Sequence, residues 1–437
     1  MNLGSLSRCN GSLCFVKTAA TALALLMAFA LAIIATPAAQ AQNLTVLYSF
    51  TGGADGEWPV AGLAFDAAGN LYGTAVFTYG LDERPGTVFE LRHSGGTDWV
   101  FTTLYSFTGG SDGAGPASRV TIAPDGTLLS TTTSGGLHIC SDEDCGTFFR
   151  LRPSPTAPKT ALAPWNETVL YSFTGGSSGA NPQGDLTFDQ AGNIYGTTLS
   201  GGSGNPGNGI VYELTPSGGG WYETNLYSAT DYQIPLDGVV FDKPGNLYGV
   251  FEEGGPYGCG GVYQLSPSGS GWREQILHTF TCGNDGGTPF GGVILGTSGN
   301  LYGTTSSGGS GGGGTVFQLT PTSGGWIFQT IYSFAGVQLN FPGPQAKLVM
   351  DAAGNLYGTT SWDGANESGS VFKLSPANGG WTYASLHDFT GGSDGADPQS
   401  ALILDATGNL YGTTRKGGSF NNRCEPDGCG TVFEITP

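Results

Sequence analysis

The sequence predicts an all-β protein: a seven-bladed β-propeller of four-stranded blades. Three observations carry the prediction. One phrase recurs seven times, each copy holds four short strand-like runs, and the two chain ends are complementary blade fragments. The phrase Gly-Asn-Leu-Tyr-Gly stands at residues 69–73, 245–249, 299–303, 354–358 and 408–412, with Ile for Leu at 192–196 and a degenerate copy at 125–129. Its central residues fall at 72, 129, 195, 248, 302, 357 and 411, and the one long step holds a Pro-rich insertion at 153–164. A sustained period of this length marks a repeat architecture, and four strands per repeat suit a propeller blade.

Each blade element has its own signal. The first strand is an apolar run that ends in Asp, as in Gly-Leu-Ala-Phe-Asp at 62–66. An Ala-Gly-Asn turn leads to the second, Leu-Tyr-Gly-Thr. A Gly-rich loop precedes the third, Gly-Thr-Val-Phe-Glu-Leu at 86–91, and the fourth ends in Leu-Tyr-Ser-Phe, often after Gly-Gly-Trp. Short runs rich in Val, Phe, Tyr and Thr between Gly, Pro and Asn are strand and hairpin signals. Adjacent large apolar residues such as Leu71 and Tyr72 imply a strand covered on both faces. Gly73, inside that strand, marks close approach of another element, here expected to be a Tyr or Trp of a neighbouring blade. The chain stops after a third strand at 430–435 and opens on an orphan fourth strand at 46–50. Joined, these complete blade seven, close the ring and remove an open edge. The rival fold, a parallel β-helix, would not need complementary ends.

Composition agrees. Glycine is 77 of 437 residues, about 18% against a usual ~7%, without a three-residue period. Charged residues are only 11% and hydrophobics 38%, too apolar for a disordered chain. Residues 1–41 read as a secretory signal: basic Arg8 and Lys17, an uncharged apolar run from 18 to 36, then Ala39-Gln40-Ala41 before a cleavage point near Gln42. The alternative is a leader retained as an anchor. Residues 42–437 then form one seven-repeat domain. Removing the leader takes the net charge from −19 to −21. That balance excludes a nucleic-acid partner and an anionic membrane surface, both of which need a basic footprint.

The repeated GNLYGTT, the following Gly-Gly loop, GTVF-x-L and LYSFTGG resemble the Gloeobacter–Verrucomicrobia tandem-repeat proteins over residues 43–437. The resemblance implies a secreted bacterial repeat protein and no particular activity.

Six cysteines follow the leader, an even number that suits disulfides in an exported protein. Cys140 with Cys145 and Cys424 with Cys429 are C-x4-C pairs just before a third strand. Cys259 holds the same position in blade four, and Cys282 follows that blade's fourth strand. Loops between second and third strands share a face with loops between fourth and first strands, so Cys259 can meet Cys282. Zinc is the alternative.

No Ser/His/Asp or Cys/His set stands out. His278 and His387 replace the Tyr of Leu-Tyr-Ser-Phe and read as packing variants. Asp66 and its equivalents end first strands and suit turn hydrogen bonding. A second set, Asp55, Asp112, Asp285 and Asp394, lies in Gly-rich loops before the first strands. It suits Asx turns, or a partial ring of carboxylates facing the central opening that could hold Ca²⁺ or a polar ligand. Trp58, Tyr79 and Trp362 lie in loops of the same face, with Phe77, Tyr257 and Phe420, and suit sugar stacking or protein contact.

The expectation is a secreted, extracellular or periplasmic propeller serving as a binding or scaffold module for a glycan or cell-surface protein, with no obligatory cofactor. The rival reading is an extracellular carbohydrate-active enzyme using loop carboxylates.

Overall fold

One carboxylate sets the first turn of each repeat. Asp66 Oδ1 accepts the backbone N–H groups of Ala68 at 2.8 Å and Asn70 at 2.9 Å. Its Oδ2 accepts the Asn70 amide at 2.7 Å and the Tyr72 hydroxyl at 3.3 Å. The same clamp recurs at Asp189 and Asp351. The Asp, Asn and Tyr of the repeated phrase are therefore one hydrogen-bonded unit, as the turn reading expects. Burial, then the bond to Asp351, push the Tyr357 hydroxyl up to about 12. Burial also acts to raise Asp351, but the bonds from Asn355, Tyr357 and Ala353 outweigh it and hold this carboxyl below its usual range.

The computed structural model describes residues 42–76, 85–94, 98–140, 143–153, 165–202, 208–269, 271–336 and 343–436. The expected leader at 1–41 lies outside them. Asn43–Thr436 cluster as one compact unit. Its architecture is all-β and propeller-like. Among the described residues there is no α-helix, only a 3₁₀ turn at Gly176–Ser178. No helix among them is long and apolar enough to cross a membrane.

Each repeat forms a four-stranded antiparallel meander, called here units one to seven in chain order. Unit one comprises Ala64–Phe65, Leu71–Ala75, Thr87–His93 and Trp99–Ser106. Units three and four join through one parallel bridge between Asp185 and Gly238. In unit seven, Ile403–Leu404, Leu410–Thr414 and Thr431–Thr436 are completed by Asn43–Ser49 from the other end of the chain, with Leu44 opposite Ile435 and Val46 opposite Phe433.

Second strands such as Leu71–Ala75 and Leu410–Thr414 are buried along their whole length. The glycine inside them is approached by a ring of its own unit, which corrects the expectation of a neighbour's Tyr or Trp. Gly73 lies directly opposite Phe89 in the ladder. A Cβ at Gly73 would sit 2.5 Å from the Phe89 ring. The missing side chain lets the third-strand aromatic lie flat across its partner strand.

The core lies in the seams between units. Seven buried clusters among the described residues each bridge consecutive units, and the one holding Phe50, Phe89, Cys429 and Tyr411 bridges unit seven to unit one. Fourth-strand tryptophans rest on the phrase tyrosine of the preceding unit. Trp326 meets Tyr248 at 5.7 Å, Trp381 meets Tyr302 at 5.9 Å, and Trp99 meets Tyr411 at 6.4 Å. The phrase threonines reach forward: Thr359 donates to Ser400 O at 3.3 Å and Thr413 to Pro59 O at 2.6 Å.

The tightest seam element is a glycine before the third strand, set against a proline of the next unit. A Cβ at Gly86 would lie 2.5 Å from Pro116 Cδ, at Gly146 2.7 Å from Pro182 Cδ, and at Gly430 2.7 Å from Pro59 Cδ. Gly430 also has φ +94, where a side chain adds backbone strain. Gly430→Ala is therefore expected to destabilise the protein by about 2–4 kcal/mol. Gly380→Ala, where nothing lies within 4 Å of the added carbon, should be near neutral. Thermal melts of the two variants check this, and equal melting temperatures would refute the seam argument.

Candidate functional site

The four loop acids sit in four separate turns. Asp55, 8% exposed, accepts Tyr48 OH at 2.9 Å, Thr51 N–H at 2.7 Å, Thr51 Oγ1 at 2.8 Å and Gly53 N–H at 3.0 Å. Asp112 accepts Tyr105 OH at 3.0 Å, with Thr108 N–H and Oγ1 at 2.8 and 2.6 Å. In Asp285 and Asp394 the tyrosine's place is taken by His278 and His387, each with Nε2 at 3.1 Å, and the turn threonines Thr281 and Thr390 complete the set. The histidines keep a packing role, since His278 stacks on Phe328 at 3.8 Å. Burial lowers the His278 pKa, and Asp285 offsets part of that. None of the four is among the residues that line the two central cavities described below. Their oxygens already accept three or four hydrogen bonds each, from their own turns and from the Tyr or His of the strand before, in the manner of Asx-type turns.

The aromatic candidates divide. Tyr79 and Phe77 lie outside the described residues. Tyr257 and Phe420 are exposed, at 62% and 49%. Trp58 and Trp362 are half-buried and flank one basic dipeptide. The Arg415 guanidinium lies 4.8 Å from the Trp58 ring centre, and Lys416 Nζ 5.6 Å from that of Trp362. Arg415 is held by the buried Asp397 at 3.0 Å and Lys416 by Asp427 at 3.2 Å. Trp58 precedes Pro59 with φ 58, a left-handed conformation uncommon for a bulky residue. Its N–H donates to Cys429 O at 3.0 Å, so the neighbouring seam holds it there.

The cysteines form the three expected disulfides, Cys140–Cys145, Cys259–Cys282 and Cys424–Cys429. The carbonyls of Cys145, Cys259 and Cys429 accept the N–H groups of Asn181, Thr288 and Trp58. Each of these donors precedes the seam proline of the next unit, so the disulfides brace the seams. Among the described residues no group of three or more His, Cys, Asp or Glu is placed to hold a metal ion.

A further constellation was missed at the sequence level. The first strands of all seven units line one channel, with an apolar chamber of about 760 Å³ below and a polar mouth of about 320 Å³ above. Arg119, Asp185 and Lys347 line both and so mark the boundary between them. Arg119 Nη2 meets Asp185 Oδ2 at 2.7 Å. Lys347 Nζ lies 3.4 Å from Asp237 Oδ2 and donates to Asp237 O at 3.3 Å. The Asp237 carboxylate passes over Gly292, whose absent Cβ would lie 2.6 Å away. Gln183, Gln345 and Gln399 line the mouth, and Gln399 donates to Asp397 at 3.1 Å, linking the mouth to the tryptophan-flanked pair. Burial pushes the Asp237 carboxyl above its ordinary range; Lys347 and Arg119 oppose this and Asp185 adds to it. A sequence signal was available. The position before the apolar run holds Gly62, Gly238, Gly292 and Ala401 in four units, but Arg119, Asp185 and Lys347 in the other three.

Seams between successive four-stranded units and a shared channel define a propeller-like repeat protein. The chain belongs to the Gloeobacter/Verrucomicrobia repeat family, whose model matches residues 33–207, 140–345 and 337–437. No curated protein matches it. Similar solved structures include a fungal alcohol oxidase of the AA5 family, 14% identical with TM-score 0.56, covering 91% of this chain and 77% of that one. An oxidoreductase of Thermus thermophilus, described as a glucose dehydrogenase, is 15% identical with TM-score 0.45, covering 90% and 100%. A Xanthomonas campestris gluconolactonase is 16% identical with TM-score 0.40, covering 74% and 90%. At these identities the likeness concerns the fold alone.

The ion pairs at the mouth make a testable statement. Lys347→Met leaves the half-buried Asp237 without its partner and should cost roughly 1–3 kcal/mol at neutral pH, less than the about 3–5 kcal/mol of a fully buried pair because both side chains keep some contact with water. A carboxyl whose folded pKa is raised favours the fold below its ordinary range and loses that contribution as pH rises through the folded value. Without Lys347 the pKa rises further, so the loss should be smaller at pH 5 than at pH 8. Urea melts at both pH values check this.

Proposed function

We propose that the chain is an exported seven-bladed β-propeller that acts as a binding module, with a neutral glycan as its ligand on the face that carries Trp58 and Trp362. Closure of the ring is supported by the pairing of Asn43–Ser49 with Thr431–Thr436, the Trp99–Tyr411 contact and the Gly430–Pro59 abutment. Export agrees with three disulfides, which persist in oxidising compartments. The domain then spans 42–437 after cleavage of the leader. Truncation of residues 42–50 should leave the edge of the Thr431–Thr436 strand unpaired and lower the melting temperature sharply. A truncated protein that melts like the full mature chain refutes closure.

The observation that carries the binding role is the bracket of Trp58 and Trp362 around Arg415 and Lys416. Two half-buried indoles from different units, each paired to a cation that a carboxylate neutralises, offer apolar surface next to hydrogen-bonding groups without net charge. Sugar rings need that combination. The net charge of −21 after leader removal opposes a polyanionic chain, most strongly at low salt. On a glycan array the mature protein should retain neutral oligosaccharides. Trp58→Ala with Trp362→Ala should abolish that retention and leave the melting temperature nearly unchanged. A large loss of stability would make the indoles structural. Retention of cell-envelope protein in place of any glycan would favour a scaffold role.

A further inference from the structure

The charged boundary inside the channel is unlike the rest of the lining. Four ionisable side chains converge there on a surface that is otherwise Gly, Ala, Gln, aliphatic residues and Phe290. They lie within mutual electrostatic reach: Lys347, Asp185 and Arg119 all act on the Asp237 carboxyl. Around the channel the order is Arg119 of unit two, Asp185 of unit three, Asp237 of unit four and Lys347 of unit six. The remaining arc, units seven and one, offers the uncharged Gln399 and Ala401 of unit seven and Val60, Ala61 and Gly62 of unit one. Charges are thus separated: acids in the middle, one cation at each end, and between those cations an arc without charged side chains.

The cations that bound this arc retain donor capacity. The pair with Asp185 uses Nη2 of Arg119, which leaves Nε and Nη1 of a five-donor fork. Lys347 Nζ has three donors and meets only two oxygens of Asp237. The Arg119 stem lies over Gly62, where a Cβ would sit 3.3 Å from Cδ, so the head group stands at the margin of the arc. Paired carboxylates still have lone pairs for hydroxyl donors, and Gln183 and Gln345 add amides that donate and accept. A mouth of about 320 Å³ is at the small end of ligand cavities, the scale of one sugar ring.

We propose that this mouth binds a small hydroxylated monocarboxylate of hexuronate size, its carboxylate between Arg119 and Lys347 above Ala401 and its hydroxyls on Asp185, Asp237 and the glutamines. The site goes beyond the glycan-binding role assigned to the tryptophans and stands apart from it in residues. A single anionic group in a recess with two cations is compatible with an acidic protein, because surface charge is screened over about 8 Å at physiological salt. A hydroxyl fits the acids better than an ammonium group, since each acid already has a cation beside it.

Isothermal titration of the mature protein at 0.15 M salt with D-glucuronate, D-glucose and L-serine tests this. Glucuronate should bind about tenfold or more tightly than glucose, the scale of one charge-assisted contact. Serine, a zwitterion with one hydroxyl, should bind more weakly than glucuronate. Arg119→Lys keeps a cation beside Asp185 but loses the planar fork, and should weaken glucuronate binding about tenfold with the fold retained. Ala401→Glu places a carboxylate in the arc and should abolish binding, with the melting temperature showing whether the fold persists. Trp58→Ala should leave glucuronate binding unchanged, so failure of the glycan reading and failure of this one are distinguishable. Absence of glucuronate binding, equal affinity for glucose, tighter binding of serine, or binding unaffected in Arg119→Lys would each overturn the proposal.

Discussion

The architecture depends on one close contact repeated between neighbouring units: a glycine just before a third strand, against the proline in the segment that carries the next unit's first strand. It occurs at Gly86 with Pro116, Gly146 with Pro182, Gly260 with Pro289 and Gly430 with Pro59. The proline contributes a rigid ring and has no N–H to satisfy. The residue before it supplies the hydrogen bonds of the seam. The N–H of Thr288 donates to Cys259 O in the preceding unit, while its carbonyl accepts the N–H of Ser306 in its own unit. Asp397 does the same between Ser368 and Arg415. To bond both ways, Trp58, Asn181, Thr288 and Asp397 adopt left-handed backbone conformations, with φ between 55 and 58. Such strain persists only where the surroundings over-determine it. Here apolar packing on both sides does so, because the buried clusters lie in these same seams.

That contact also decides what faces the channel. Three residues beyond each proline comes the position of Gly62, Arg119, Asp185 and Lys347, and the strand alternation then carries alternate side chains inward. Where the position is small, neighbouring first strands approach closely. Asp185 bridges Gly238, whose Cβ would collide with the Asp185 carbonyl. Two of the charges lie over small neighbours that make room for them: Gly62 beneath the Arg119 stem, Gly292 beneath the Asp237 carboxylate. The charged boundary and the glycines around it are one feature of the sequence.

Much of this was legible before the structure. The clamp from Asp66 to Asn70 and Tyr72 could be read because all its members lie within seven residues of one phrase. The pairing of Cys259 with Cys282 followed from which loops share a face. Two things were not legible, each for a physical reason. The ring that covers Gly73 belongs to a strand sixteen residues on, and register alone brings Phe89 over it. The loop acids resembled a ligand set because sequence shows a carboxylate without its partners. Tyr48, seven residues before Asp55, turned out to be one of them. The charged boundary could have been found by aligning the repeats and asking where a small position becomes ionised. Reading recurring residues alone passes over such departures.

Recurrence and departure carry different information in a repeat protein. A residue present in nearly every unit, such as the phrase tyrosine, serves the seam that every unit shares. A residue present in one unit cannot be required by a structure the other units build without it. Arg119, Asp185, Asp237 and Lys347 are of that second kind, and their desolvation is costly for a fold that four units complete with glycine or alanine at the equivalent first-strand position. Paired ions in a recess contribute little to stability over apolar residues of similar size. Their concentration at one level of the channel, beside glycines that accommodate two of them, is what the proposed ligand site accounts for and what the shared fold of the units does not require.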